Sequence, residues 1–192
     1  MVNNNKIFAL VGPYASGKST LINKLIDIGI TYIPTYTTKN PTAADEGSRT
    51  LKFLSQNAFF QQEWLVKVSC KGDYYGILKK DLLLAIRDHK ISVCFMDING
   101  VKQVKKLLNN NLETVFIMVD YISLVDRMIK MHHSNTDMKY HLEYAETNGE
   151  FDNWKSCNHV IKNVGSVDKA FNQLLAIMGL SVPAPPHMIQ NL

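Results

Sequence analysis

Short apolar runs alternate along most of the chain with segments whose apolar residues recur every three or four positions. The runs have the length of buried strands, and they lie at Lys6–Val11, Thr31–Pro34, Ile91–Met96, Glu113–Val119 and Asn158–Lys162. The segments with a helical period lie at Leu21–Ile28, Lys79–His89, Asn99–Leu108, Tyr121–Met131 and Val167–Met178. Strands that alternate with helices predict an α/β protein built on a parallel sheet.

Three stretches depart from this alternation. Residues 35–78 are rich in Thr, Ser, Gly and aromatic residues and lack a long helical period. This composition predicts a small strand-rich insert with one short helix near Asn57–Gln62. Residues 132–149 are polar and mixed, and we expect a mobile turn followed by a helix. Residues 181–192 hold three prolines and are expected to form a flexible tail.

The spacing also predicts which apolar side chains face the core. Leu107 and Ile129 fall on the apolar stripes of their helices. In the insert, Phe59, Phe60 and Trp64 are the expected core aromatics.

Length, charge and cysteine usage narrow the class of protein. The 192 residues fit one domain, expected at residues 1–180. The net charge is +4 and comes with no basic tail or charge block, which argues against nucleic-acid binding. No apolar run approaches the roughly 20 residues that span a bilayer, and the three cysteines form no disulfide or zinc pattern. We therefore expect a cytoplasmic protein, a monomer or homodimer, with no membrane or nucleic-acid partner.

A glycine-rich motif, Gly12-Pro-Tyr-Ala-Ser-Gly-Lys-Ser19, follows the first predicted strand and opens the first helix. It fits the pattern G-x-x-x-x-G-K-[ST] in the context that this pattern requires. The backbone N–H groups of such a loop surround phosphate oxygens, the lysine reaches the β and γ phosphates, and the serine hydroxyl holds Mg²⁺. The sequence thus predicts ATP and Mg²⁺ as cofactors, with the ATP-binding residues Gly12, Pro13, Tyr14, Ala15, Ser16, Gly17, Lys18, Ser19 and Thr20.

Two further features bear on metal binding. Asp97 ends an apolar strand, so a parallel sheet places it at the carboxyl edge, beside the phosphate loop. There it is a candidate for holding the metal's water shell together with Ser19, and an ordinary strand-end aspartate is the alternative. The histidines His132, His133 and His141 leave a separate metal site open, against the simpler interpretation of a solvated turn.

Four more motifs follow in order. They are Thr35-Tyr-Thr-Thr-Lys39, Gly72-Asp-Tyr-Tyr-Gly76, Asp97-Ile-Asn-Gly-Val-Lys-Gln-Val104 and Val160-Ile-Lys-Asn163. Together with the phosphate loop they resemble the motifs of guanylate kinase, the enzyme that moves a phosphoryl group from ATP to GMP. The resemblance implies a P-loop NTPase-type three-layer core, a small GMP-binding insert at about 35–78 and a lid at about 131–149.

The resemblance also implies roles for single residues. It makes Lys18, Asp97 and Arg127 catalytic, with Arg127 supporting the transferring phosphoryl group. Ser19 and Asp97 are the implied metal-binding residues. The implied acceptor-binding residues are Thr35, Lys39, Tyr75 and Gly76.

The acceptor half of the site departs from the family's pattern. The family has two phosphate-binding arginines where this chain has Lys39 and Thr42, and a tyrosine where it has Leu51. It has guanine-reading groups where this chain has Val66 and Ile77, and an acidic residue where it has Phe95. It has lid arginines where this chain has Met131 and His141. A carboxylate that accepts from guanine cannot be replaced by a valine side chain, and each lost charge-assisted hydrogen bond is worth roughly 1.5–3 kcal/mol. Arg49, near Leu51, is a candidate for a compensating cation.

Three functions stay open on this basis. The first is a nucleoside monophosphate kinase of the guanylate kinase type, with GMP as the leading acceptor. The second keeps the kinase chemistry and changes the phosphorylated acceptor, for instance to ribose 1,5-bisphosphate. The third is a catalytically weak ATP-binding pseudokinase or partner-binding module.

Overall fold

The computed structural model describes residues 4–42 and 45–180, and the tail expected at 181–192 lies outside them. The strands in these ranges are β1 (Lys6–Val11), β2 (Thr31–Tyr32), β3 (Thr35–Thr37), β4 (Leu51–Phe53), β5 (Trp64–Cys70), β6 (Asp73–Leu78), β7 (Ile91–Phe95), β8 (Leu112–Met118) and β9 (His159–Lys162). The α-helices are α1 (Lys18–Asp27), α2 (Gln56–Phe60), α3 (Lys79–Asp88), α4 (Ile98–Leu108), α5 (Tyr121–Lys130), α6 (Asn135–Thr147) and α7 (Val167–Ile177). Within these ranges no helix is long and apolar enough to cross a membrane.

Five strands form a sheet in the order β2-β7-β1-β8-β9, and every neighbouring pair is parallel. Parallel neighbours need long crossover connections, and the amphipathic helices between the strands supply them. All five strands therefore end at the same edge of the sheet. That edge is where ligands bind in open α/β sheets.

Helices cover both faces of this sheet. Along β1 the side chains alternate, so Ile7 and Ala9 join an apolar cluster with α3 and α4, whereas Phe8 and Leu10 join one with α1 and α7. The result is a three-layer core, helices on sheet on helices. The predicted fold class is confirmed.

A second, four-stranded sheet has the order β4-β3-β6-β5. Its strands β3 and β4 are parallel, and the other pairs are antiparallel. Helix α2 lies between β4 and β5 and is capped by Ser55, whose hydroxyl accepts from Ala58 N. Phe59 is buried and stacks on Trp64 with ring centroids 3.9 Å apart. This aromatic pair anchors the short helix on the sheet.

Three side chains expected in the core are exposed, namely Phe60, Leu107 and Ile129. In α4 and α5 the adjacent Leu108 and Met128 take the buried position, so the apolar stripe that packs is narrower than the sequence suggests. Helix α2 has five residues and turns one aromatic ring inward, which leaves Phe60 outside.

Candidate functional site

The glycine-rich loop Gly12–Gly17 leaves the carboxyl end of β1 and leads directly into α1. Its backbone takes left-handed conformations at Ala15 (φ 58°) and Gly17 (φ 98°). Gly17 caps α1 without any side-chain hydrogen bond, whereas α4, α5, α6 and α7 each receive one from an aspartate or serine. The first N–H groups of α1 thus have no side-chain partner and carry the positive end of the helix dipole.

The Lys18 side chain folds back over this loop. Its Nζ donates to the carbonyl oxygens of Gly12, at 2.7 Å, and Pro13, at 2.8 Å. Burial lowers the pKa of Lys18 to about 8, although the Glu150 carboxylate acts to raise it. The ammonium group is therefore held at the loop by neutral carbonyl oxygens. An anion would bind it more strongly and could replace them.

Two side chains hold the outer side of the loop. Asn163, directly after β9, donates from Nδ2 to Ser16 O at 2.8 Å. The Arg127 guanidinium donates to Ala15 O and Ser16 O at 3.1 and 3.0 Å, and to Asn163 O at 2.5 Å. Burial lowers the pKa of Arg127. A Cβ at Gly17 would lie 2.3 Å from Asn163 Nδ2, so this position admits only glycine.

One carboxylate, that of Glu150, lies near Lys18, and a second, that of Asp97, lies near Glu150. Asp97 follows β7, and its Oδ1 accepts from Gly100 N at 2.6 Å as the cap of α4. Glu150 begins a 3₁₀ segment, Glu150–Ser156, that follows α6. Burial raises the pKa of Glu150, Lys18 lowers it and Asp97 raises it, so Glu150 interacts with both other charges. The sequence analysis missed Glu150, because no motif includes it.

Ser19 and Thr20 occupy the first turn of α1 and are exposed. The side chain of Tyr14 points away from the loop and stacks on His141, with ring centroids 3.9 Å apart. The histidines do not form a metal site: within residues 4–42 and 45–180 no group of three or more His, Cys, Asp or Glu side chains could hold a metal ion.

The expected acceptor-binding residues lie on the second sheet. Thr35 on β3 is buried, with Oγ1 3.3 Å from the Tyr32 hydroxyl. Tyr75 on β6 is paired with Thr37 on β3. Burial raises the pKa of Tyr75, and the hydrogen bond with Thr37 lowers it. A Cβ at Gly76 would lie 2.5 Å from the Trp64 ring, so packing requires this glycine.

Lys39 is paired with a carboxylate that the sequence analysis did not single out. Its Nζ lies 3.0 and 2.7 Å from the two oxygens of Asp45. Thr42 donates to the same carboxylate from its N–H at 2.9 Å and from its hydroxyl at 2.6 Å. Burial raises the pKa of Asp45, but the bonds from Lys39 and Thr42 outweigh this effect and lower it overall. The residues at both family arginine positions therefore bind one internal carboxylate.

Arg49, the candidate for a compensating cation near Leu51, is paired with a carboxylate of α1. Its Nη1 binds Asp27 Oδ1 at 2.5 Å, at the end of α1. Both side chains of this ion pair are largely exposed.

The positions expected to read a base are apolar and closed. Val66 and Ile77 face each other across β5 and β6, are 4% and 2% exposed, and belong to the apolar cluster of α3 and α4. A Cβ at Gly100 would lie 2.9 Å from Val66 Cγ1, so the side chain packs tightly on the start of α4. Phe95 faces Tyr32 with ring centroids 6.5 Å apart. Neither Val66 nor Ile77 has a hydrogen-bonding group for a base.

Comparisons with known proteins agree with this architecture. Residues 4–179 match the family model of guanylate kinase. The chain is similar to guanylate kinase of Mycoplasma genitalium, with 27% identity over 92% of this chain and 76% of that protein. It is also similar to guanylate kinase of Rickettsia prowazekii, with 23% identity over 84% of each. The crystal structure of guanylate kinase from Anaplasma phagocytophilum has the same fold, with a TM-score of 0.69 and 17% identity, over 91% of this chain and 85% of that one.

Proposed function

The chain belongs to the guanylate kinase family, and we propose that it transfers the γ-phosphoryl group of ATP to GMP. Family membership implies a phosphotransferase that acts on nucleotides. The observation that carries the proposal is the conformation of the phosphate loop. An uncapped start of α1, left-handed backbone at Ala15 and Gly17, and a lysine folded over the loop together form an anion cradle.

In this proposal the loop binds the phosphates of ATP. The carbonyl oxygens of Gly12 and Pro13 bind the Lys18 ammonium group only as neutral acceptors. A phosphate oxygen is a stronger partner because both groups are then charged. Lys18 therefore moves from its own loop to the β and γ phosphates, and the change keeps it protonated. Pro13, Ser16 and Thr20 line the same loop.

The residues near the loop also fit a bound Mg²⁺. Hydroxyl and carboxylate oxygens are the ligands that Mg²⁺ prefers, and it retains several waters. Ser19 would hold the ion directly, and Asp97, with Glu150 near it, would hold its water shell. A bound ion would supply positive charge that neutralises the charge developing on the transferring phosphoryl group.

Arg127 supports the transfer from the outer side of the loop. Its guanidinium fixes the carbonyls of Ala15 and Ser16, so the loop amides stay turned inward. The positive charge that it adds beside the loop favours the charge that develops on the transferring group.

For the acceptor, we assign the phosphate to Lys39 and Tyr75 and the remainder of the molecule to Thr35 and the backbone at Gly76. Lys39 and Tyr75 both lie close to Asp45. An acceptor phosphate would thus compete with Asp45 for the lysine.

One observation favours a second candidate, a phosphorylated acceptor that carries no guanine. The closed, apolar pair Val66 and Ile77 offers no acceptor for the N–H groups of guanine. A site that lacks the hydrogen-bonding partner of a base discriminates poorly in favour of that base. A sugar phosphate such as ribose 1,5-bisphosphate has no base and therefore needs no hydrogen-bond acceptor at these positions.

The test is ADP production from Mg·ATP with GMP, dGMP, AMP and ribose 1,5-bisphosphate offered separately. Lys18→Ala removes the cation from the loop, and Lys24→Ala is the matched control, since Lys24 lies on the same helix and pairs with Asp168 at the surface. We expect turnover with GMP that falls about a hundredfold or more in Lys18→Ala and is retained in Lys24→Ala.

The alternative outcomes separate the candidates. Turnover only with the sugar phosphate supports the second one. ATP binding without turnover on any acceptor supports a pseudokinase. Turnover that Lys18→Ala leaves unchanged contradicts the role of the phosphate loop.

A further inference from the structure

The segment of residues 131–149, which contains α6, contacts the phosphate loop through rings. Tyr14 stacks on His141 with the ring planes 8° apart, and its hydroxyl lies 2.9 Å from Nε2 of His133. The Tyr14 and His133 rings also meet edge to face, with centroids 5.4 Å apart. Three contacts therefore converge on one side chain that projects from the loop.

The same segment also contacts the second sheet. Lys71, in the turn between β5 and β6, binds Asp137 of α6 at 3.1 Å. Its Nζ also lies 4.5 Å from the centroid of the Tyr140 ring. Helix α6 is thus attached to the phosphate loop by Tyr14 and to the second sheet by Lys71, in addition to the apolar packing of Met138 and Leu142 on α5.

The ring contacts occupy a region where the family resemblance implies positively charged lid side chains. The resemblance matches two lid arginines to Met131 and His141, and Met131 is exposed. Burial is the largest cause that lowers the pKa of His141 to about 4, Lys71 and His133 act in the same direction and Asp137 opposes them, so the imidazole is neutral at pH 7. A neutral imidazole stacked on a phenol ring does not depend on a phosphate to hold it in place.

We propose that Tyr14 is a positioning residue, which holds residues 131–149 over the phosphate loop through His133 and His141. The contacts join protein side chains only, so they attach α6 to the phosphate loop without using a phosphate group. In a lid attached by arginine–phosphate contacts, the ligand itself supplies that attachment. Here the protein supplies it, and Lys71 adds a second contact through Tyr140 and through Asp137, one helical turn before His141.

The test is hydrogen exchange of the free protein, read by mass spectrometry for peptides of α6, β1 and α7. Tyr14→Ala removes both the stacked ring and the hydroxyl, and Tyr14→Phe removes only the hydroxyl. Phe60→Ala is the control, because it removes another exposed ring, on α2, away from α6. We expect exchange in α6 to rise about tenfold in Tyr14→Ala and less in Tyr14→Phe, and to stay unchanged in Phe60→Ala.

Exchange in β1 and α7 separates local release from loss of the fold. If Tyr14→Ala also raises exchange there, His141→Ala serves instead, since this change leaves the loop intact and is expected to raise exchange in α6 alone. Unchanged exchange of α6 in both variants overturns the proposal. The readout needs no turnover, so the outcome is independent of whether GMP is the acceptor.

Discussion

At the scale of single residues, the site is shaped by neighbours that are distant in the sequence or lie outside the motif of the residue they contact. Lys39 sits where a phosphate-binding cation is expected, yet Asp45 already neutralises it with both carboxylate oxygens. Gly17 belongs to the motif, but the reason it must be glycine is Asn163, at the far end of the chain. Each of these residues has a consequence that a substitution can measure.

Asp45→Asn releases Lys39 from an ion pair while keeping one acceptor oxygen for Thr42. We expect the KM for the phosphorylated acceptor to fall about fivefold, because a partly exposed ion pair is worth about 1 kcal/mol. Initial-rate kinetics at saturating Mg·ATP measure it. Asp27→Asn, which breaks the exposed ion pair with Arg49, is the control and should leave KM unchanged. A higher KM in Asp45→Asn would mean that the carboxylate orients Lys39 for the acceptor.

Gly17→Ala tests the close approach behind the loop. The change forces a left-handed alanine, at about 1 kcal/mol, and overpacks the contact with Asn163, at about 1–3 kcal/mol. We therefore expect the free energy of unfolding to fall by about 2–4 kcal/mol and ATP affinity to fall with it. Gly165 also has a positive φ, 78°, but a Cβ there would have nothing within 4 Å. Gly165→Ala therefore measures the cost of the backbone strain alone. Equal losses in urea titrations of the two variants would exclude a role for Asn163.

At the scale of elements, α1 and α6 differ in whether a side chain accepts a hydrogen bond from the N–H groups of the first turn. Helix α1 starts without a side-chain cap, which leaves its N–H groups to an anion. Helix α6 starts at Ser134, which accepts from Asp137 N and needs no ligand. The start of α1 is therefore open to the phosphate that we propose for it, and the start of α6 is held by protein contacts.

The position of α6 should depend on pH through His141. The pKa of His141 is about 4 when it is buried on Tyr14, below its ordinary value of 6.5. Protonation therefore favours the released state, so the contact is fully stabilising above about pH 6.5 and is lost as the pH falls toward 4. NMR titration of the imidazole should give a midpoint near 4 that moves up toward 6.5 in Tyr14→Ala. A midpoint near 6.5 in the parent would contradict the buried stack.

At the scale of the whole molecule, the parallel sheet brings distant residues to one edge. The carboxyl ends of β1, β7 and β9 carry Gly12, Asp97 and Asn163 to the same side. Because the loop is fastened to β9 through Asn163 and to α5 through Arg127, a ligand on the loop is connected to the core. Ligand binding should therefore stabilise the whole fold.

Thermal unfolding tests this connection. Mg·ATP at about one hundred times its Kd adds about 2.7 kcal/mol, which raises Tm by roughly 5–10 °C for a domain of this size. Differential scanning fluorimetry with and without nucleotide measures the shift. Lys18→Ala should abolish it and Lys24→Ala should retain it. A full shift in Lys18→Ala would place the nucleotide elsewhere.

Local patterns predicted a large part of this architecture correctly. The apolar run Lys6–Val11 is β1, and the spacing in Val167–Met178 gives α7, which begins at Val167 and ends at Ile177. Both succeed because a strand or helix records its buried face as a period in the sequence. The expectation for Leu107 was wrong because the period does not say how wide a stripe the neighbouring element covers.

What the sequence by itself determined is the alternation of strands and helices and the phosphate loop at the end of β1. These features depend on the order of residues within a few turns of chain. Only the tertiary structure decided that Asp45 neutralises Lys39, that Glu150 lies near Lys18 and that Tyr14 holds His141. In each pair one partner lies outside the motifs and no period links the two, because charge pairing, burial and ring packing are set by which surfaces the completed fold brings together.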